Sequence, residues 1–374
     1  MLSSARSRRL PRLLLGSLVV VVALTGCSAS AAGPGSGAAE ASCAPSTTPL
    51  AQLAVDPKPR EAVGESTACL VDTAIDPVAD HVVPQLRAIV TDNQGTRVTI
   101  TDTSRILALD LYGSLAATVF GLGLGDNVVG RDTSTGFEQA QDLPLVTQNG
   151  HELNGEAILA LQPTVILTDS SIGPWDVVLQ MREAGIPVVV MTPTRSLENT
   201  GDIVTAVAAA LGVPEQGRML TERLEDETSQ TVADIAAIAP EDDADKLRIM
   251  FLYVRGNAGI YYIFGTGSGT DSLITSLGGI DVATEIGWQG MRPMTAEAMV
   301  DASPDLILMM TKGLESVDGV DGLLERIPAI AETPAGQHRR VVDMSDTEVL
   351  SFGPRSPAVL EALARAIYAP AKAE

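Results

Sequence analysis

Basic residues are scarce in this chain: 25 lysines and arginines stand against 47 aspartates and glutamates, a formal net charge of −22 over 374 residues. So acidic a balance excludes nucleic acid as a partner. It leaves room for an anionic small molecule, because a few local arginines outweigh a distant net field at contact range. Histidine is scarcer still. His81, His151 and His338 are the three, without the clustered ligand spacing of a zinc or manganese site. His81 reads as a surface histidine. No Gly-x-Ser-x-Gly motif occurs: Gly267, Ser268 and Gly269 supply only its centre and His338 has no assignable partner, so a hydrolase is not indicated. Gly121, Gly123 and Gly125 end a helical pattern instead of opening one, which removes the context of a dinucleotide fingerprint. The apolar run at residues 13–24 is shorter than the ~20 residues of a spanning helix.

That run has a different meaning. Arg6, Arg8, Arg9 and Arg12 precede it, and Leu24-Thr25-Gly26-Cys27 follows it, the order of a secretory signal ending in a lipobox. Cleavage leaves Cys27 as the lipid-bearing first residue, at an extracytoplasmic membrane face. Residues 1–26 are thus a lipoprotein signal peptide. Residues 27–43, rich in Ser, Ala and Gly, form a flexible tether. An exported chain meets an oxidising compartment, so Cys43 and Cys69 are expected to form a disulfide. Residues 44–95 show little periodicity and read as an irregular extension.

The rest of the chain is organised around residues 213–239. Pro214 suits a first helical position, and Leu220, Leu224, Val232, Ile235 and Ile238 recur at three- and four-residue steps up to Pro240. At ~1.5 Å per residue such a helix spans about 40 Å, more than one small core needs. Its flanks resemble each other. Asn154-Gly155-Glu156 and Thr295-Ala296-Glu297 each open a short capped helix, which Pro163 or Pro304 ends before an apolar, strand-like run. The expectation is an α/β protein of two similar lobes, residues 96–212 and 241–374, bridged by one helix at 213–240, with a ligand in the cleft between them.

Within the first lobe, residues 98–100, 106–109, 128–131, 165–167 and 188–191 read as strands, and 112–122, 175–184 and 197–211 as helices. His151 sits at a strand-to-helix turn, where open α/β sheets hold ligands. In the second lobe a strand at 247–256 ends in Tyr253, Val254 and Arg255. Residues two apart in a strand share a face, so the tyrosine and arginine project together. Tyr261, Tyr262, Trp288, Met291, Arg292 and Met294 follow, an apolar wall with one cation. A guanidinium beside a phenol favours its anion, a hard ligand suited to ferric iron.

A lipoprotein with two α/β lobes, one connecting helix and a glutamate in matching helices of both lobes resembles the substrate-binding proteins of ABC importers for siderophores, cobalamin and haem. The His151 and Tyr253-x-Arg255 pair resembles that of the haem-binding members. The resemblance covers roughly residues 97–370. It implies a non-enzymatic, monomeric carrier of b-type haem, with His151 and Tyr253 as axial ligands and Arg255 hydrogen-bonded to Tyr253. Tyr262, Trp288, Met291 and Met294 would contact the ring, and Arg131, Arg292 or Arg355 the propionates. Glu156 and Glu297 would meet the permease dimer that works with an ATPase. The alternative on the same fold is a receptor for a ferric siderophore or cobalamin, which would leave His151 and Tyr253 as polar groups lining the pocket.

Overall fold

The computed structural model describes residues 45–370. The expected signal peptide, Cys27, the expected tether and Cys43 lie outside the described residues.

The first lobe is built on a parallel sheet of Ile106–Leu109, Val165–Thr168 and Val188–Val190, in that spatial order. All three strands are buried along their whole length, the mark of strands covered on both faces. Alternation then sorts their side chains. Ile106, Ala108, Val165 and Leu167 enter one core, while Leu107, Leu109 and Ile166 enter another on the opposite face. Residues 128–131, expected to be a strand, instead make only single parallel bridges, Ile106 to Val128 and Arg131 to Leu145. Gly130 belongs to this crossing: a Cβ there would lie 2.5 Å from the Leu161 side chain.

The second lobe repeats the plan with a larger sheet. Its central strand, Arg248–Arg255, lies between Leu306–Met310, which runs parallel to it, and Ile260–Phe264, which runs antiparallel. Val341–Met344 and Met291–Pro293 extend the sheet on either side. Ile249, Phe251, Leu306 and Leu308 fill one face; Met250, Leu252, Ile307 and Met309 fill the other.

The bridging helix runs Pro214–Ala236, with proline in its first turn. Leu220 and Leu224 are buried in the first lobe's core and Ile235 in the second's. One helix therefore belongs to two cores. The extension is more ordered than its sequence implies. Its strand Ser66–Ala68 pairs in parallel with Val341–Met344, and Leu50 and Leu70 enter the second core, whereas Ile75 enters the first. Cys69, directly after that strand, is held in a disulfide.

Candidate ligand site between the lobes

His151 closes a three-residue loop between the short paired strands Thr147–Gln148 and Glu152–Leu153. The loop needs left-handed backbone, with Asn149 at φ 48° and Gly150 at φ 93°, which asparagine and glycine tolerate best. Neighbouring hydroxyls pin it. Thr133 Oγ1 donates to the Gly150 carbonyl at 2.6 Å and lies 2.8 Å from Thr147 Oγ1. Ser134 Oγ lies 3.4 Å from His151 Nδ1 and donates to the Leu111 carbonyl at 2.7 Å.

Across the cleft, Tyr253 and Tyr262 stand directly opposite each other in the antiparallel pair, as do Phe251 and Phe264. Opposite residues share a face, and the rings gather there: Tyr253 stacks on Phe264 with centroids 5.9 Å apart, and Phe264 meets Phe251 at 5.1 Å. Arg255 is on this face too. Its guanidinium carbon lies 4.6 Å from the Tyr253 ring centroid. One nitrogen reaches Asp346 Oδ1 at 2.6 Å and another the Val254 carbonyl at 2.9 Å. The expected hydrogen bond to the phenol is thus replaced by a cation lying against the ring, held by a carboxylate.

The imidazole of the first lobe lies within the field of the second. Burial holds the His151 pKa below its ordinary 6.5, the Arg255 guanidinium and the Lys312 ammonium push it the same way, and Asp346 opposes them. Three groups of one lobe are thus close enough to act on a side chain of the other. A neutral imidazole is the metal-binding form.

The remaining expected residues divide. Met291 pairs opposite Phe264, on the tyrosine face, and is 55% exposed. Arg292 pairs opposite Ile263, whose side chain fills the other face, and its Nε donates to the Gln289 carbonyl. Trp288 and Met294 also pack against that other core, away from Tyr253 and Tyr262. Arg355 is 4% exposed, lies 5.6 Å from the Phe137 ring of the first lobe and donates to the Thr347 carbonyl at 2.6 Å. It stands between the lobes, with its Nε and Nη1 buried and without a hydrogen-bond partner among the described residues. Arg131 is half-buried, with Nη1 near the Asp132 carbonyl at 3.3 Å. Glu156 and Glu297 are exposed near the starts of their helices, whose caps Asn154 and Thr295 accept from the Ala157 and Ala298 amides.

Sequence reasoning missed several further residues. Asp346 anchors Arg255 and accepts from the Lys312 amide at 2.9 Å, and the Lys312 side chain is exposed beside them. Ser134 touches His151. Arg195, 2% exposed, ties Asp110 at 3.0 Å to Asp169 at 2.6 Å beneath the first lobe's rim. Asp132 joins this buried group through the Asp110 amide, at 2.9 Å; burial, then the Asp110 charge, push its pKa up to about 7. Serines, lysines and aspartates are too common for spacing alone to mark these.

The model of the periplasmic binding protein family matches residues 110–347, and the chain belongs to that family. It is a carrier of an extracytoplasmic class, not an enzyme. Among solved structures, it is similar to the haem-binding protein HmuT, at 41% identity over 83% of this chain and 99% of that one, with a TM-score of 0.78. Variants of HmuT with one arginine, one histidine or one tyrosine changed to alanine align as well, at TM-scores of 0.81, 0.79 and 0.80. The periplasmic haem-binding protein RhuT from Roseiflexus sp. RS-1 matches at 34% identity over 72% of this chain and all of its own, with a TM-score of 0.64. BhuT, in complex with two haems, matches at 29% over 70% of this chain and 97% of its own, with a TM-score of 0.61. A comparison with curated proteins finds no match.

Proposed function

We propose that this protein captures ferric haem in the cleft between its lobes and delivers it to an ABC permease for iron acquisition. The observation that carries the reading is His151 of one lobe under the field of Arg255, whose guanidinium lies against the Tyr253 ring of the other. Imidazole and phenolate are both haem-iron ligands, and two lobes can offer them to opposite faces of one ring. Tyr262 and Met291 share the Tyr253 face and suit contact with a flat apolar macrocycle. Lys312 is an exposed cation for a propionate, with Arg131 as a second. The similarity to proteins described as haem-binding supports this ligand over a siderophore or cobalamin, and unmodified b-type haem is the form the pair would hold without a covalent attachment.

By the same reading the chain is lipid-anchored through Cys27 at the extracytoplasmic membrane face, carries a Cys43 to Cys69 disulfide and acts as a monomer. Glu156 and Glu297 meet the permease dimer of the ATP-driven importer. Titrating the protein from residue 28 onward with ferric haem tests the site. Saturation at fixed stoichiometry is expected, with absorption bands changed differently by His151→Ala and Tyr253→Ala; indifference to both substitutions would remove the site. Replacing Glu156 and Glu297 together by lysine should abolish haem uptake by cells while leaving the titration unchanged. Normal uptake would remove their permease role.

A further inference from the structure

We infer that Ser134 is a positioning residue that fixes the tautomer of His151, placing the ring proton on Nδ1 and leaving the Nε2 lone pair for iron. The inference deepens the haem reading and rests on it for its purpose.

The argument is one of counting protons. A serine hydroxyl has one proton to donate and lone pairs to accept with. Ser134 Oγ donates to the Leu111 carbonyl at 2.7 Å, a group that can only accept. Its 3.4 Å approach to His151 Nδ1 is then attractive only if the imidazole is the donor. A neutral imidazole carries one proton, so a proton on Nδ1 leaves Nε2 unprotonated. Ligating histidines commonly have their other ring nitrogen occupied in this way, which sets both tautomer and ring orientation.

Ser134 is itself firmly placed. It is 5% exposed, so its hydroxyl cannot turn freely to water. Gly113, at φ 68°, lets the preceding loop come so close that a Cβ there would lie 2.6 Å from the Ser134 carbonyl oxygen. Next to it, Thr133 Oγ1 donates to Gly150, the residue before the histidine. Two consecutive hydroxyls thus hold the backbone and the ring of the same loop. Asp132 precedes them and accepts from both the amide and the hydroxyl of Thr135 at 2.8 and 2.9 Å, so the turn that carries them is tied on both sides.

The test reads the tautomer directly. Nitrogen chemical shifts of His151 in ligand-free protein, assigned by comparison with His151→Ala, should report Nδ1–H in the wild type. Ser134→Ala should shift the ring toward Nε2–H, and Ser134→Thr, which keeps the hydroxyl, should behave as wild type. With ferric haem added, Ser134→Ala should move the absorption bands toward those of His151→Ala and weaken binding roughly 10-fold, in the range typical of losing a ligand's outer hydrogen bond. An Nε2–H wild type overturns the inference without any variant, and so does a Ser134→Ala protein whose tautomer and bands are unchanged. Should the tautomer respond as expected while wild type binds no haem, the positioning role stands, and both the iron-facing half and the haem reading fail.

Discussion

The two lobes repeat one plan but present their cleft groups by different means. Tyr253 and Arg255 end a central strand, packed between two apolar cores, and their direction follows from the alternation of that strand. His151 stands on a loop of left-handed backbone held by the hydroxyls of Thr133 and Ser134, above the buried group of Asp110, Asp132, Asp169 and Arg195. The second lobe relies on burial and the first on satisfied polar groups. Burial is tolerant of small changes, whereas a polar network fails when one member is lost. The first lobe should therefore be the sensitive one.

The largest effect should come from Arg195→Ala, which strands the Asp110 and Asp169 carboxyls inside the lobe. Breaking a buried pair by removing one partner costs about 3–5 kcal/mol, and urea unfolding should show a loss of that order. A loss under ~1 kcal/mol would show that the network is not what holds the first lobe.

A smaller effect is expected from pH. Asp132 is raised to about 7 by burial from an ordinary 3.8, so folding favours its protonated form. The stability it contributes is complete below 3.8 and lost as pH rises through about 7; Asp169 is raised too, again chiefly by burial. Unfolding free energy should fall by about 1–3 kcal/mol across this window. Asp132→Asn should flatten the fall and lower stability at acid pH, because its amide oxygen can accept from Thr135 or from the Asp110 amide but the NH2 that replaces the other oxygen cannot accept. An unchanged pH slope in the variant would place the titration elsewhere.

The same contrast governs what could be read from the chain alone. Strands such as Ile106–Leu109, Val165–Thr168 and Arg248–Arg255 were legible because each is built on an unbroken apolar run, and the bridging helix because Leu220, Leu224 and Ile235 keep its period. In contrast, 128–131 was read as a strand and makes only single bridges, and Ile260–Phe264 and Val341–Met344 were not read as strands. The Tyr253 and Arg255 pair was legible for the same reason: alternation within a strand is local. Arg292 and Met291 were not separable, since which of the two faces Tyr262 depends on a register with Phe264 that only pairing sets. The burial of Arg355 was not legible, because the Phe137 ring it lies against belongs to the opposite lobe. The strand at Ser66–Ala68 is three residues long and takes its form from Val341–Met344, so it has no period of its own to read.

The smallest expected effect asks whether the lobes meet electrostatically at all. Asp346 raises the His151 pKa and Lys312 lowers it, both from the second lobe, while burial and Arg255 set the overall depression below 6.5. Removing the carboxylate with Asp346→Asn should therefore lower the His151 pKa further, and removing the ammonium with Lys312→Met should raise it. Proton NMR of the imidazole in ligand-free protein, titrated at low salt so that charges a few ångströms apart are not screened, reads both shifts. The folded pKa lies below the unfolded one, so the stability linked to His151 is fully present above 6.5 and is lost as pH falls from there through the lower folded pKa. Opposite shifts in the two variants are what a closed pair of lobes requires. If neither variant moves the titration, His151 and Arg255 do not face one cleft in solution, and the first lobe's network holds a loop that the second lobe does not reach.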